Sequence, residues 1–250
     1  MADPVRRAAL ISDVHGNVPA LAATLEEVAA SDVDVVMFLG CLTWGPEPLR
    51  VLEMARSLPQ PTFFVRGNGE RAVIELADGS RAPERPADTW MVAAHASDGV
   101  DTLRSFASEV VLEVAGLGSV RACHGSPRSD IELLTPGTPE ARLRQAFAGA
   151  PEDVVTHGHT HVQYERRAIG RRVVGPGSVG LPYGVVPGRA CWAILGPDVE
   201  LRVTPYDLGL AEEAARAAGF PALERYLQML LEPPTLGQIE ADAEQREFSD

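Results

Sequence analysis

The stretch DVVTHGHTH, residues 153–161, runs from an apolar segment into three histidines spaced two apart. Asp153, Val154 and Val155 read as a short buried strand. Beyond it His159 and His161 alternate with Thr160, so an extended backbone would turn both imidazoles to the same side. Gly158 permits a tight turn and leaves room beside the rings. Imidazole is the commonest neutral ligand for Zn, Fe, Mn and related ions. The whole chain has six His and three fall here, which favours a metal site over a polar turn.

The same pattern, an apolar run ending in polar residues, recurs outward from this point. Ala8 to Ser12 reads as a buried strand ending in Asp13-Val14-His15-Gly16-Asn17, followed by a helical stripe of Val18, Leu21, Leu25 and Val28. Val33 to Leu39 is a second strand, closed by Gly40-Cys41, and Leu49, Leu52 and Ala55 mark the next helix. Thr62 to Val65 is a third, ending in Arg66-Gly67-Asn68-Gly69-Glu70. Strand, loop and helix alternate three times, which predicts parallel βαβ units.

The second half reads as more antiparallel. Residues 78–88 are Pro-rich and polar, a loop or lid, and Thr89 to Phe106 is helical. Val110 to Val114 and Ser119 to Cys123 form a hairpin that leads into His124-Gly125-Ser126-Pro127. Pro139 to Phe147 is helical. Two further hairpins pair Val162–Ala168 with Arg172–Val174 and Ala190–Leu195 with Val199–Val203. After Pro205 come two short helices, then from Glu232 an acidic, Pro-interrupted tail expected to be partly mobile.

Composition narrows the function. A chain of 250 residues with 45% hydrophobic content can bury a large core. Its net charge of −13 and pI near 4.9 argue against a nucleic-acid groove or a polybasic membrane contact. An acidic protein can still take phosphorylated substrates where metal ions reverse the local field. Cys41, Cys123 and Cys191 show no pairing pattern, and no signal peptide or membrane span is visible, so a cytoplasmic protein is expected.

Nearly every polar cluster thus follows a strand, where ligands gather in open α/β sheets. The ordered set Asp13-x-His15, Gly40-Cys41, Gly67-Asn68, His124 and Gly158-His159-Thr160-His161 resembles the calcineurin-like metallophosphoesterases, closest to their compact bacterial phosphodiesterase branch. The turn Gly175-Pro176-Gly177-Ser178 adds to the likeness, which runs from about Ala8 to Tyr206. The resemblance implies an α/β fold, a four-layer α-β-β-α sandwich with two mixed β-sheets. It places a metallophosphoesterase domain at 1–206 and a C-terminal helical extension with an acidic tail at 207–250. It further implies two divalent transition-metal ions (Mn, Fe, Ni or Zn) acting on a small phosphorylated molecule. Asp13, His15 and His161 would hold one ion; Asn68, His124 and His159 the other; position 41 would bridge them. A hydroxide between the ions would attack phosphorus in line, with Asn68 and His124 close to the reacting group.

Two positions depart from the family's pattern. Its bridging residue is Asp, and here it is Cys41, two base changes away. Three readings stay open: a thiolate bridge favouring softer ions, a lost bridge leaving a weakly hydrolytic or purely binding descendant, or a Cys-modified centre for other chemistry. Many relatives also carry a proton-donating His after Gly-Asn, where this chain has Gly69. Outside the ligand set, Trp44 and Tyr183 are candidates to stack on a substrate ring, and Arg128 to clamp a phosphate. His157 is expected to support the ligands without being one, and His95 to be structural.

Overall fold

A computed structural model describes residues 3–245 of the chain. Its strands are β1 (Ala8–Ile11), β2 (Val35–Phe38), β3 (Thr62–Phe64), β4 (Val110–Val114), β5 (Gly118–Cys123), β6 (Val154–His157), β7 (Gln163–Ala168), β8 (Arg171–Pro176), β9 (Arg189–Leu195) and β10 (Val199–Pro205). The helices are α1 (Val18–Ala29), α2 (Pro48–Arg56), α3 (Asn68–Asp78), α4 (Pro86–Arg104), α5 (Glu140–Ala146), α6 (Leu208–Ala217), α7 (Leu223–Leu231) and α8 (Leu236–Gln245).

They assemble into two five-stranded mixed sheets, ordered β10-β9-β1-β2-β3 and β4-β5-β6-β8-β7. Strands β1, β2 and β3 run parallel, as the βαβ reading predicts, while β9 pairs antiparallel with β1. In the second sheet β5, β6 and β8 are parallel, with β4 and β7 antiparallel at the edges. The sequence AALI of β1 explains its central place, because all four side chains are buried. Ala9 and Ile11 face a core shared with α1 and α2, whereas Ala8 and Leu10 face Val120, Ala122, Val154 and Val174 of the other sheet. On the far face of the second sheet, α5 and α8 pack through Leu143, Ala146 and Ile239. This is the four-layer α-β-β-α arrangement.

Three local expectations are corrected. The helix over Thr89–Phe106 starts earlier and is broken at Ala96, whose φ of 50° is left-handed. The 78–88 loop is shorter, because α3 reaches Asp78 and α4 starts at Pro86. The expected mobile tail is instead largely helix α8, with Ile239 and Ala243 buried. The prolines that suggested disorder only precede Thr235, which caps the helix by exchanging hydrogen bonds with Gln238. Residues 246–250 of that tail lie outside the described residues.

Seating of α8 depends on Ile239, so Ile239→Asp is expected to release it. Limited proteolysis should then cut within residues 232–245 while the circular dichroism of the sheets is retained.

Candidate metal centre

All seven ligands expected from the sequence sit beyond the carboxyl ends of β1, β2, β3, β5 and β6, on one edge of the sandwich. Hydrogen bonds tie these ends together. Asp13 and His15 donate their backbone N–H groups to the carbonyls of Gly40 and Cys41, and Gly158 N–H donates to the His124 carbonyl, 2.7 Å away. Gly158 is needed there for space: a Cβ would lie 2.0 Å from Ser12 Oγ and 2.6 Å from Asp13 Oδ2.

The strand alternation expected for His159 and His161 is not how they are aimed. Strand β6 ends at His157, and both residues adopt left-handed φ, 65° and 57°. Asp13, His15 and Cys41 do so as well, at 53°, 50° and 48°. Among the described residues, five of the eight non-glycine positions with positive φ are therefore candidate ligands, and such backbone strain concentrates at functional sites.

The imidazole tautomers follow from their partners. Nδ1–H of His15, His124 and His161 donates to the backbone carbonyls of Trp44, Leu39 and Leu181 at 2.9, 2.7 and 2.7 Å. In its neutral form each ring would thus turn a bare Nε2 lone pair inward. His15 and His161 present these atoms to one another at 3.0 Å. Burial first, then the neighbouring His161, lowers His15 to a pKa of about 4, so the His15 ring is neutral at neutral pH. Two nitrogens each about 2.1 Å from a common cation stand roughly 3 Å apart.

Asp13 is fully buried. Ser12 O–H and His159 N–H donate to its Oδ2 at 2.5 and 3.0 Å, leaving Oδ1 without a hydrogen-bond donor. That oxygen lies 3.3 Å from His161 Nε2, 3.8 Å from His15 Nε2 and 4.0 Å from His124 Nε2. Burial raises this carboxyl, and positive charge at the surrounding imidazoles, His161 first, is what would hold it below the usual carboxylate range. An orphaned carboxylate oxygen among imidazole lone pairs is a donor set that fits a divalent cation.

Cys41 closes the second half of the cluster. Its Sγ lies 3.2 Å from both His124 Nε2 and Asn68 Oδ1, which are themselves 2.9 Å apart. The ligand atoms of Asp13, Cys41 and His124 fall within 4.8 Å of one another, as do those of Asp13, His15 and His161. Asp13 is thus common to both groups. Burial, and then the charges of Glu70 and Asp13, push the thiol well above its ordinary pKa, so it is protonated unless a cation draws it into the thiolate form. The ring of His159 lies 5.1 Å from that of His124.

Glu70 is a residue that sequence reasoning passed over. Fully buried, it accepts from the backbone N–H of Cys41, Leu42 and Gly67 at 2.8, 2.8 and 2.9 Å. It thereby fixes the strained Cys41 loop to the start of α3. Its place three residues after Gly67, at the third helical position, was the available signal.

Position 69 is also explained. A Cβ at Gly69 would stand 3.1 Å from Trp44 Cβ and 3.2 Å from Cys41 Sγ, so the indole and the thiol crowd the space a histidine would need. Trp44 and Tyr183 both line the cavity above the cluster, and the Tyr183 ring stacks on His161 at 4.5 Å. Arg128 is not brought to this cavity; Glu132 holds its guanidinium through two hydrogen bonds. His157 stands behind the cluster, donating to the Gly158 carbonyl and accepting from Tyr164 O–H at 2.7 Å. His95 donates to the Met91 carbonyl, inside a buried helix turn away from the cluster.

Comparison with known proteins settles the family. The family model for the calcineurin-like phosphoesterase superfamily domain matches residues 7–195. The chain belongs to that superfamily. A metallophosphoesterase from Sphaerobacter thermophilus is 27% identical, with a TM-score of 0.70 over 90% of this chain and 99% of that one. A hypothetical protein from Pyrococcus horikoshii OT3 has the same fold, with a TM-score of 0.79, 18% identity, and 92% and 99% of the two chains covered. An archaeal phosphodiesterase shares it more distantly, at a TM-score of 0.50, 17% identity, and 79% and 99% coverage. No curated protein matches the chain. As a member of the calcineurin-like superfamily the protein is a phosphoesterase by family, with ligand groups suited to divalent metals. Among the described residues no helix is long and apolar enough to cross a membrane.

Removing the carboxylate in Glu70→Ala orphans four buried N–H groups, those of Cys41, Leu42, Thr43 and Gly67, and is expected to cost at least about 3 kcal/mol in urea unfolding. Burial lowers His157 to about 4, against 6.5 in the unfolded chain. The unfolded state therefore takes the proton first on acidification. Stability of metal-free protein should fall as pH drops from 6.5 towards 4, by about 3 kcal/mol from this residue. Denaturant titrations across that window should show a flatter profile in His157→Gln.

Proposed function

We propose that this protein is a metal-dependent phosphoesterase that hydrolyses a small phosphorylated substrate, a phosphodiester or nucleotide, at a centre of two divalent transition-metal ions. The observation that carries the reading is the set of bare Nε2 atoms around the orphaned Asp13 Oδ1. Asp13, His15 and His161 would hold one ion, and Asn68, His124 and His159 the other, with Cys41 between them. When bound, such ions supply Lewis-acid stabilisation of the phosphoryl oxygens and an activated water nucleophile.

The chain's own residues do the positioning. Backbone carbonyls lock three imidazoles in the ligating tautomer, and Glu70 holds the Cys41 loop against α3. The cluster lies on the floor of a cavity of about 870 Å³, large enough for a nucleotide-sized ester. No imidazole stands at position 69 to protonate a leaving group, so esters with good leaving groups are favoured.

One observation supports a second reading, a descendant with weakened hydrolysis. Cys41 is a buried thiol of raised pKa, whereas a carboxylate at that place would be charged without help. The two readings separate on one substitution. With Mn, Ni or Zn supplied, the wild type is expected to hydrolyse bis(p-nitrophenyl) phosphate, His161→Ala to lose at least about a hundredfold in kcat/KM, and Cys41→Asp to keep or raise activity. Absence of turnover in wild type and Cys41→Asp alike, with metal bound, overturns the hydrolytic reading. A thiolate ligand adds a second readout: Co(II)-loaded wild type should show a sulfur-to-metal charge-transfer band that Cys41→Ser abolishes.

A further inference from the structure

Above the candidate metal centre the cavity wall is cationic, although the chain as a whole carries a net charge of −13. Arg71, Arg81, Arg85 and Arg225 line it, against the acidic side chains Glu232 and Asp242. The four arginines differ in what already holds them. Arg71 is committed, with Asp130 accepting from its Nε and a second nitrogen at 2.6 and 3.0 Å and Glu75 from a third at 3.1 Å. Arg85 pairs with Asp88 and lies over the Trp44 ring, 5.8 Å from its centroid.

Arg81 and Arg225 are different. Neither guanidinium has a carboxylate within ion-pair distance among the described residues, whereas Arg71 and Arg85 of the same cavity do. Arg81 is held in place by its backbone, whose N–H donates to the Glu75 carbonyl just past the end of α3. Arg225 projects from α7, beside Tyr226, which is buried in the core that joins α7 to α4. Two segments separated by more than half the chain thus deliver uncompensated positive charge to one cavity. The same cavity is lined by Trp44 and by the Tyr183 ring stacked on His161.

We infer that Arg81 and Arg225 form a second anion subsite, and that the substrate is a small phosphoester carrying another phosphate or similar anionic group away from the scissile one. The inference rests on the phosphoesterase reading for which end of the ligand reacts. The chemistry of the subsite is its own: guanidinium forks match phosphate oxygens in pairs. Flat aromatic faces in the same cavity suit a ligand that carries a nucleoside or another ring. The aliphatic and aromatic lining of Leu133, Leu181 and Phe220 provides the apolar contact such a ring would bury.

The test compares adenosine 3′,5′-bisphosphate with adenosine 5′-monophosphate by calorimetric titration of metal-loaded protein. The bisphosphate is expected to bind at least about tenfold more tightly, a gap of roughly 1.4 kcal/mol. In Arg81→Ala/Arg225→Ala the gap should close to within about twofold, with the monophosphate affinity much less affected. Both side chains reach solvent, and an unchanged melting temperature will show that the double variant folds; Arg81→Gln/Arg225→Gln serves in its place if it does not. Equal affinity for the two ligands in the wild type, or a tenfold gap that survives in the variant, overturns the subsite. Hydrolysis of bis(p-nitrophenyl) phosphate by the wild type is scored separately. An arginine-dependent gap without hydrolysis keeps the subsite and removes the phosphoesterase reading, while hydrolysis without the gap does the reverse.

Discussion

Three imidazole rings, each clamped by a backbone carbonyl at Nδ1, turn their opposite nitrogens towards one buried carboxylate oxygen. Lone pairs held that close repel, and Asp13 is deep enough that water does not relieve it. Such an arrangement is stable on its own only at a cost, and a cation removes that cost. The fold is built around keeping it in place. The carbonyls that clamp the rings come from Trp44, Leu39 and Leu181, which belong to loops or strand ends themselves fixed by the two sheets.

The strain this demands is local and compensated nearby. Left-handed backbone at Asp13, His15, Cys41, His159 and His161 is unfavourable for residues with a Cβ. Against it stand the Glu70 carboxylate with its four backbone donors, the Ser178 O–H donating to the Asp13 carbonyl at 2.6 Å, and the close fit at Gly158. The sandwich core supplies the rigidity that lets these contacts over-determine the loops, since both faces of β1 are buried between layers. Cys41 sits where those constraints meet. Its thiol touches Asn68 and His124, crowds position 69 together with Trp44, and takes its ionisation state from whether a cation is near.

The C-terminal helices belong to the same functional region. Helices α6 and α7 pack through Ala211, Ala215, Tyr226 and Leu230 into the core formed with α3 and α4. Helix α8 lies on the other side, over Ile239, and residues of α7 and α8 complete the cavity that begins at the metal cluster. The family match ends at residue 195, so α7 and α8 lie beyond the matched region while lining the same cavity.

Apolar runs ending in Asp13, Cys41, Asn68, His124 and His159 are local patterns, and local patterns are legible in a chain. They sufficed for the parallel run of β1, β2 and β3 and for the hairpins β4-β5, β7-β8 and β9-β10, whereas the two-sheet architecture came with the family resemblance. Side-chain direction was not legible in the same way. His159 and His161 looked like alternating strand residues, yet contacts with Asp13 and Leu181, more than a hundred and twenty residues apart from one another along the chain, hold them in left-handed turns. Helix α8 looked like a mobile tail because its acidic surface hides a single buried stripe, and Arg128 looked available because Glu132 becomes its partner only in the folded chain. Sequence alone therefore determined which chemical groups the strand ends carry, since that depends on short-range periodicity. Tertiary structure decided where each lone pair points, which arginines stay unpaired and what closes the cavity, because those outcomes depend on contacts between residues that meet only after folding.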